Sequence, residues 1–179
     1  RDRVLVGLSL TAPPENEHLT SIIESKASPI IARMAVMKEA HRRGLRTYGM
    51  LCPLLPGIAD QPKRIDALVK FVVECGVEEI FAENVNARGP GLKNCQEALE
   101  KNGYPTEAAA IEKIRHRVHW SKYVADLIGN VQASVRKHSD IRKLRFLLYP
   151  TNLHPDHKAQ IRQDDEGVVW LGKKPETEN

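Results

Sequence analysis

The chain has 179 residues, of which 41% are hydrophobic and 28% charged, a composition typical of a folded globular domain rather than a disordered segment. No apolar run approaches the roughly 18 residues that a membrane-spanning helix needs, so the sequence predicts no membrane partner. Its three cysteines, Cys52, Cys75 and Cys95, form no CxxC or CxxxCxxC motif, which argues against a disulfide framework and against a self-contained metal site. A reducing, cytoplasmic setting fits this cysteine usage best.

The chain opens directly on an apolar strand. It begins at Arg1, without Met or a signal peptide, and the strand predicted at 4–10 is apolar on both faces. A natural start rarely opens on a strand, so we expect missing sequence upstream. A strand that has lost its neighbour exposes its edge, and we therefore expect this chain to be poorly soluble alone.

Strand and helix signals alternate along the chain. Strands are predicted at 4–10, 45–51, 77–82 and 143–149. The helices between them end at Gly44 and Gly76, and Ser28 and Asp60 are candidate N-caps. A long helical region at 93–137 is broken near Gly103 and Pro105. Its last helix carries one apolar stripe, formed by Trp120, Tyr123, Val124, Leu127, Ile128, Val131 and Val135. The alternation predicts an α/β fold with a parallel sheet, either a barrel or an open doubly wound sheet.

Polar residues follow two of the strands at the point where loops begin, which is where parallel α/β folds gather functional groups. Ser9 and Thr11 leave the first strand, and their hydroxyls can bond a ribose or a carboxylate, or the backbone of the local turn. Asn84 and Asn86 leave the third strand. Their amides can read an adenine edge or an amino acid head group, or they can shape the loop.

Two further positions stand out near these loops. Arg33 lies early in the first helix, where a cation opposes the helix dipole, so it is a candidate for binding a carboxylate, with a plain ion pair to Glu24 as the alternative. Pro53 belongs to a stiff loop at 51–60 that can place apolar side chains beside a ligand ring. The adjacent Cys52 is a packing residue, a reactive thiol or a hydrogen-atom donor.

The stretch from 113 to 145 is strongly basic. Within it only Asp126 and Asp140 oppose the positive side chains, which are Lys113, Arg115, Arg117, Lys122, Arg136, Lys137, Arg142, Lys143 and Arg145. A basic face of this kind can attract DNA or another nucleic acid, and the alternative is a solvated helix face.

Three segments carry a resemblance to a known family. The first is VGLSLT at 6–11, followed by Glu24 and by ASPIIAR at 27–33. The second is HRRGLRTYGMLCPLLPGIAD at 41–60, and the third is EIFAENVNARG at 79–89. These segments resemble the radical S-adenosylmethionine (radical SAM) proteins of the spore photoproduct lyase-like, or DNA repair photolyase-like, group.

The resemblance implies a partial (β/α) barrel with parallel strands and outer helices that lacks its N-terminal βα units. Residues 1–150 would be the C-terminal half of the barrel and 151–179 an extension. The whole enzyme would cleave S-adenosyl-L-methionine reductively at a [4Fe-4S] cluster, with electrons from a flavodoxin or ferredoxin, to give a 5′-deoxyadenosyl radical. The radical would act on an unidentified substrate, for which a nucleic acid is one candidate. The implied cofactor-binding residues are Ser9, Thr11, Glu24, Arg33, Pro53, Asn84 and Asn86.

The sequence departs from the family in lacking CxxxCxxC, whose cysteines would lie upstream. We therefore expect part of the cofactor pocket without its redox centre, and a chain that is inactive alone. Two other interpretations stay open: a nucleic-acid-binding module without chemistry, and an ordinary barrel aldolase or hydrolase. The near-motif His154-Pro-Asp-His157 is interrupted by proline, and no metal site is predicted within the chain.

Overall fold

The computed structural model describes residues 3–86 and 90–172. The described strands are β1 (Leu5–Val6), β2 (Arg46–Thr47), β3 (Gly49–Leu54), β4 (Ile80–Asn84), β5 (Leu144–Leu148) and β6 (Val168–Trp170). The described α-helices are α1 (Glu17–Ile23), α2 (Ile30–Arg42), α3 (Pro62–Glu74), α4 (Gly91–Lys101), α5 (Pro105–Lys113), α6 (Arg117–His138) and α7 (Pro155–Gln163). None of these helices is both long enough and apolar enough to span a bilayer.

Every strand pair in the described chain is parallel, and neighbours in the sheet follow chain order. Strand β1 pairs with β2, and a second ladder runs β3-β4-β5-β6. A bridge between Ser9 and Met50 joins the two ladders, and the Leu10 N–H donates to the Met50 carbonyl at 2.8 Å. The predicted parallel α/β fold is therefore confirmed.

The first strand is shorter than the 4–10 segment predicted from its apolar residues. Only 5–6 pairs as a strand, and the ladder resumes at the Ser9 bridge. Between them the Tyr48 ring lies against the backbone of Gly7, where an added Cβ would be 2.4 Å from the ring. Apolar character indicated burial correctly for part of this segment, and the local contact with Tyr48 interrupts the pairing.

Two predicted helix caps are wrong. Ser28 makes no capping bond, and the first amide of α2, that of Ile30, donates to Glu17 Oε2 at 2.7 Å. Asp60 accepts instead from the backbone N–H of Gly57 at 2.8 Å, so its carboxylate closes a turn before α3. In the first case a carboxylate 13 residues away, that of Glu17, takes the place of the predicted cap. In the second case the predicted cap, Asp60, bonds a local turn amide instead of the helix.

The two faces of the sheet have different surroundings. Helix α3 covers one of them. Its Val72 lies so close to Gly49 of β3 that a Cβ added to the glycine would be only 3.1 Å away. The side chains buried on that face include Leu51, Ile80, Ala82, Leu144, Phe146 and Leu148. The side chains on the opposite face are only half-buried: Met50, Cys52, Phe81, Glu83, Arg145 and Leu147. The predicted apolar stripe of α6 is buried along its whole length.

The segment beyond residue 150 continues the same architecture as far as it is described. Strand β6 pairs in parallel with β5, with Val168 opposite Phe146. Gln132 of α6 donates to the carbonyls of Asp164 and Glu166 at 3.0 Å and so fixes the turn before β6. The boundary placed at residue 150 stays a prediction, and the polar end at 173–179 lies outside the described residues.

Candidate functional site at the carboxyl ends of the strands

The carboxyl ends of β4 and β5 border a cavity of about 150 Å³. Its lining residues are Glu83, Asn84, Asn86, Trp120, Tyr149, Thr151 and Asn152. Asn84 is paired in register with Leu54, which places the end of β3 beside it. The cavity therefore lies where a parallel α/β fold usually binds its ligands.

Both asparagines predicted from the loop after the third strand line this cavity. Asn84 is buried, and its Nδ2 donates to the Val85 carbonyl at 3.0 Å. Asn86 is exposed. Together with the carboxylate of Glu83 they give the cavity two amides and one negative charge, a set that can bind hydroxyl and amino groups.

Two aromatic side chains of α6 hold the loops that border this cavity. Trp120 donates its indole N–H to the Val85 carbonyl at 3.1 Å. The Tyr123 hydroxyl donates to the Leu54 carbonyl and accepts from the Val85 N–H at 3.4 Å. The sequence pattern predicted that both rings belong to the apolar stripe, but it did not predict their hydrogen bonds. A helical pattern shows which side of a helix is buried and not which backbone groups its polar atoms will meet.

Cys52 and Glu83 form a pair on the half-buried face of the sheet, next to the cavity. The thiol Sγ donates to Glu83 Oε2 at 3.1 Å. Burial, and then the Glu83 carboxylate, raise the pKa of Cys52 to about 12. The thiol is thus protonated at neutral pH, which makes it a poor nucleophile and leaves it able to donate hydrogen.

Arg33 organises the end of the first strand. Its Nη1 donates to the Ser9 carbonyl at 2.8 Å, its Nη2 pairs with Glu24 Oε2 at 2.5 Å, and its Nε donates to the Ser28 carbonyl at 2.8 Å. The ion pair weighed as an alternative to ligand binding is therefore present. With its three nitrogens engaged, Arg33 positions the strand exit against the start of α2.

Thr11 and Pro53 differ in how they meet their surroundings. Thr11 is 1% exposed, and its hydroxyl has no hydrogen-bond partner among the described residues. A buried, unsatisfied hydroxyl costs free energy, so this group is suited to a ligand. Pro53 is half-buried, follows a cis peptide bond, and lies in a register shift between Leu51 and Leu54.

The seven predicted residues fall into two groups in space. Pro53, Asn84 and Asn86 gather around the ends of β3 and β4, whereas Ser9, Glu24 and Arg33 form one bonded cluster at the exit of the first strand. Thr11 follows that exit. Ser9 is bridged to Met50 of β3, which connects the first-strand cluster to the strand that carries Pro53.

In the part of the chain that the structure describes, five of the nine basic side chains at 113–145 form ion pairs, two of them with acids inside the stretch and three with acids elsewhere. Ion pairs join Lys122 to Asp126, Arg136 to Asp164 and Glu166, Lys137 to Asp66, Arg142 to Asp140, and Arg145 to Glu79. Lys122 and Arg136 are also separated by about 21 Å along α6. The acidic partners therefore reduce the net positive charge of this stretch.

The described residues contain no group of three side chains arranged to hold a metal ion. Cys52 lies in β3, Cys75 follows α3 and Cys95 lies in α4, and all three are free. His157 Nδ1 lies 2.9 Å from the Ser121 hydroxyl, which also accepts from the backbone N–H of His154. This histidine pair therefore fastens α7 to α6.

No family model matches the chain, and no solved structure matches it significantly. Over 102 residues the chain is 26% identical to the uncharacterized protein ORF301 of Acidianus two-tailed virus, a match that covers 55% of this chain and 33% of that protein. The matched part thus spans about a third of the relative's length.

Proposed function

We propose that this chain is part of a radical SAM enzyme of the spore photoproduct lyase-like type. The observation that carries the proposal is the strand order: five parallel stretches follow one another in chain order, counting β2 and β3 as one. Doubly wound sheets reverse their order at a switch point, whereas a barrel does not. Consecutive order supports a sector of a barrel.

The half-buried face of the sheet also supports a barrel. In a closed barrel one face of every strand turns outward to the helices and the other turns inward. Here the outer face is buried, while the inner face carries Cys52, Glu83 and Arg145. Charged and thiol groups on that face suit a reaction chamber better than a packed core.

S-adenosylmethionine is the cofactor of this proposal. The buried Thr11 hydroxyl lacks a partner among the described residues, and Asn84 and Asn86 line a rim cavity. These groups fit the ribose and the amino acid end of the cofactor, which when bound supplies the 5′-deoxyadenosyl radical. Arg33 would act by positioning Ser9, and Trp120 would hold the loop at the cavity.

The iron–sulfur cluster has no ligand set among the described residues, so its cysteines would belong to another part of the polypeptide. A cytoplasmic setting and a flavodoxin or ferredoxin donor complete the proposal. The gene gives a direct test, because CxxxCxxC encoded N-terminal to residue 1 supports a radical SAM enzyme, and its absence there favours an aldolase or hydrolase on the same barrel.

Cofactor binding can be measured in the polypeptide that carries the cluster. We expect Thr11→Val and Asn84→Ala each to weaken the binding of S-adenosylmethionine at least about fivefold, because each removes a hydrogen bond worth about 1 kcal/mol. The control is Asn94→Ala, an exposed position in α4. Equal affinities for all variants would show that these are not cofactor residues. If the reduced, reconstituted protein forms no 5′-deoxyadenosine, the proposal of a radical SAM enzyme is contradicted.

Nucleic acid is the proposed partner, and the distribution of ion pairs favours one end of the basic stretch for it. Arg115 is exposed and has no ion pair among the described residues, and with Arg117 it borders Trp120 near the rim. We expect Arg115→Glu to weaken DNA binding and to lower its salt dependence, while Arg136→Glu changes both less. Titrations at two salt concentrations test this, and equal losses for both variants would contradict the assignment.

A further inference from the structure

A second and larger groove, of about 380 Å³, lies between the loop that follows β3 and the helices α5 and α6. None of the seven candidate cofactor residues lines it. Its polar side chains include Asp60, Lys113 and His119, and its apolar walls include Ile114 and Leu127. The groove is thus amphipathic, with an acid and bases around a hydrophobic floor, as small-molecule sites commonly are.

The carboxylate of Asp60 lies at this groove and has room for a further hydrogen-bond donor. It accepts the Gly57 N–H at 2.8 Å, but no side chain among the described residues donates to it. The nearest arginine in sequence, Arg64, donates instead to the carbonyls of Gly57 and Ile58 at 2.7 and 3.0 Å. Burial raises the pKa of Asp60 and the charge of Arg64 opposes this only in part, so a cationic donor at the carboxylate would stabilise its charged form.

Lys113 brings a cation without a partner. It is exposed and forms no ion pair within residues 3–86 and 90–172. The other lysine of the groove, Lys122, is already paired with Asp126 at 2.7 Å. The groove therefore offers the carboxylate of Asp60 and the ammonium of Lys113, which form no ion pair with each other. Their two charges are opposite and equal.

We propose that this groove binds a small zwitterion, an α-amino acid with an apolar side chain. Its ammonium donates to Asp60, and its carboxylate accepts from Lys113 with His119 beside it. Its side chain packs against Ile114 and Leu127. Each polar contact is a charge-assisted hydrogen bond, which is the stronger class. Each charge of the ligand meets a side chain of opposite charge in the groove. The proposal is independent of the cofactor site, because the two share no lining residue.

The test uses three related probes in amide-detected NMR titrations of the intact polypeptide that contains residues 1–179. L-leucine carries both charges, N-acetyl-L-leucine lacks the ammonium, and L-leucinamide lacks the carboxylate. We expect leucine to bind at least about tenfold more tightly than either analogue, which corresponds to about 1.4 kcal/mol.

Two variants assign the contacts. Asp60→Asn keeps an oxygen for the Gly57 amide and should abolish the preference for leucine over N-acetyl-leucine. Lys113→Ala should abolish the preference for leucine over leucinamide, and Lys93→Ala on α4 is the control that should change neither. The proposal is overturned if wild type shows no saturable shifts with leucine, or if both variants keep the wild-type preferences. Should Asp60→Asn fail to fold, the Lys113→Ala comparison with leucinamide decides.

Discussion

The two faces of the central sheet share one backbone and meet opposite surroundings. On the helix-covered face Phe146 is fully buried, whereas Phe81 on the other face is only half-buried and meets the Tyr48 ring edge-on at 5.8 Å. The covered face carries no charged side chain in β3, β4 or β5, while the other carries Glu83 and Arg145. The covered face therefore holds the chain folded, and the other face is free to carry chemistry.

The matched pair Phe146→Ala and Phe81→Ala tests this comparison with the largest expected effect. Removing Phe146 leaves a cavity against the helices and should cost about 3–5 kcal/mol of unfolding free energy. Removing Phe81 should cost about 1–2 kcal/mol, since solvent already reaches that ring. Urea denaturation of both variants measures the difference, and equal losses would mean that the two faces are packed alike.

The second prediction concerns the tyrosine that links α6 to the rim. Tyr123→Phe should lower the unfolding free energy by about 1–3 kcal/mol, because the buried Leu54 carbonyl loses its donor. The matched control, Tyr149→Phe, removes a hydroxyl from a side chain that is 57% exposed and should change stability little. A harmless Tyr123→Phe would show that water or another donor replaces the hydroxyl, and the rim would then be less firmly held than we infer.

Local periodicity made most of the fold predictable from the sequence. The α6 stripe from Trp120 to Val135 is buried as expected, and the strands after Gly44 and Gly76 lie close to their predicted positions, because both patterns repeat over a few residues. Strand order is not local. The sequence left barrel and doubly wound sheets open, and the consecutive order appeared only in the pairing of the strands.

The candidate site was less predictable, because its partners are far apart along the chain. The basic count at 113–145 missed Asp164 and Glu166, which pair with Arg136 at 2.8 and 2.9 Å. The polar end of Tyr123 meets a carbonyl 69 residues away. Residue type and spacing can nominate Asn84 and Asn86, but which groups are already satisfied depends on tertiary contacts.

The last prediction has the smallest effect on stability and concerns the Cys52–Glu83 pair on the half-buried face. Because the pKa of Cys52 is raised to about 12, the folded state holds its proton more tightly than the unfolded chain, whose thiol titrates near pH 8.5. Any stability contributed by the thiol is therefore present below about pH 8.5 and is lost as pH rises toward 12.

Alkylation by iodoacetamide, followed residue by residue with mass spectrometry, measures the pKa directly. Cys52 in the folded chain should react slowly at pH 8 and accelerate only well above it. Glu83→Gln should lower the pKa without restoring the ordinary value, since burial is the larger cause and remains. Cys52→Ala should change the unfolding free energy by about 1 kcal/mol or less, as expected for a small side chain on the less buried face. A thiol that reacts at pH 8 like a free cysteine would mean that this face is fully open to solvent, and the contrast between the two faces would then be sharper than the burial of Cys52 indicates.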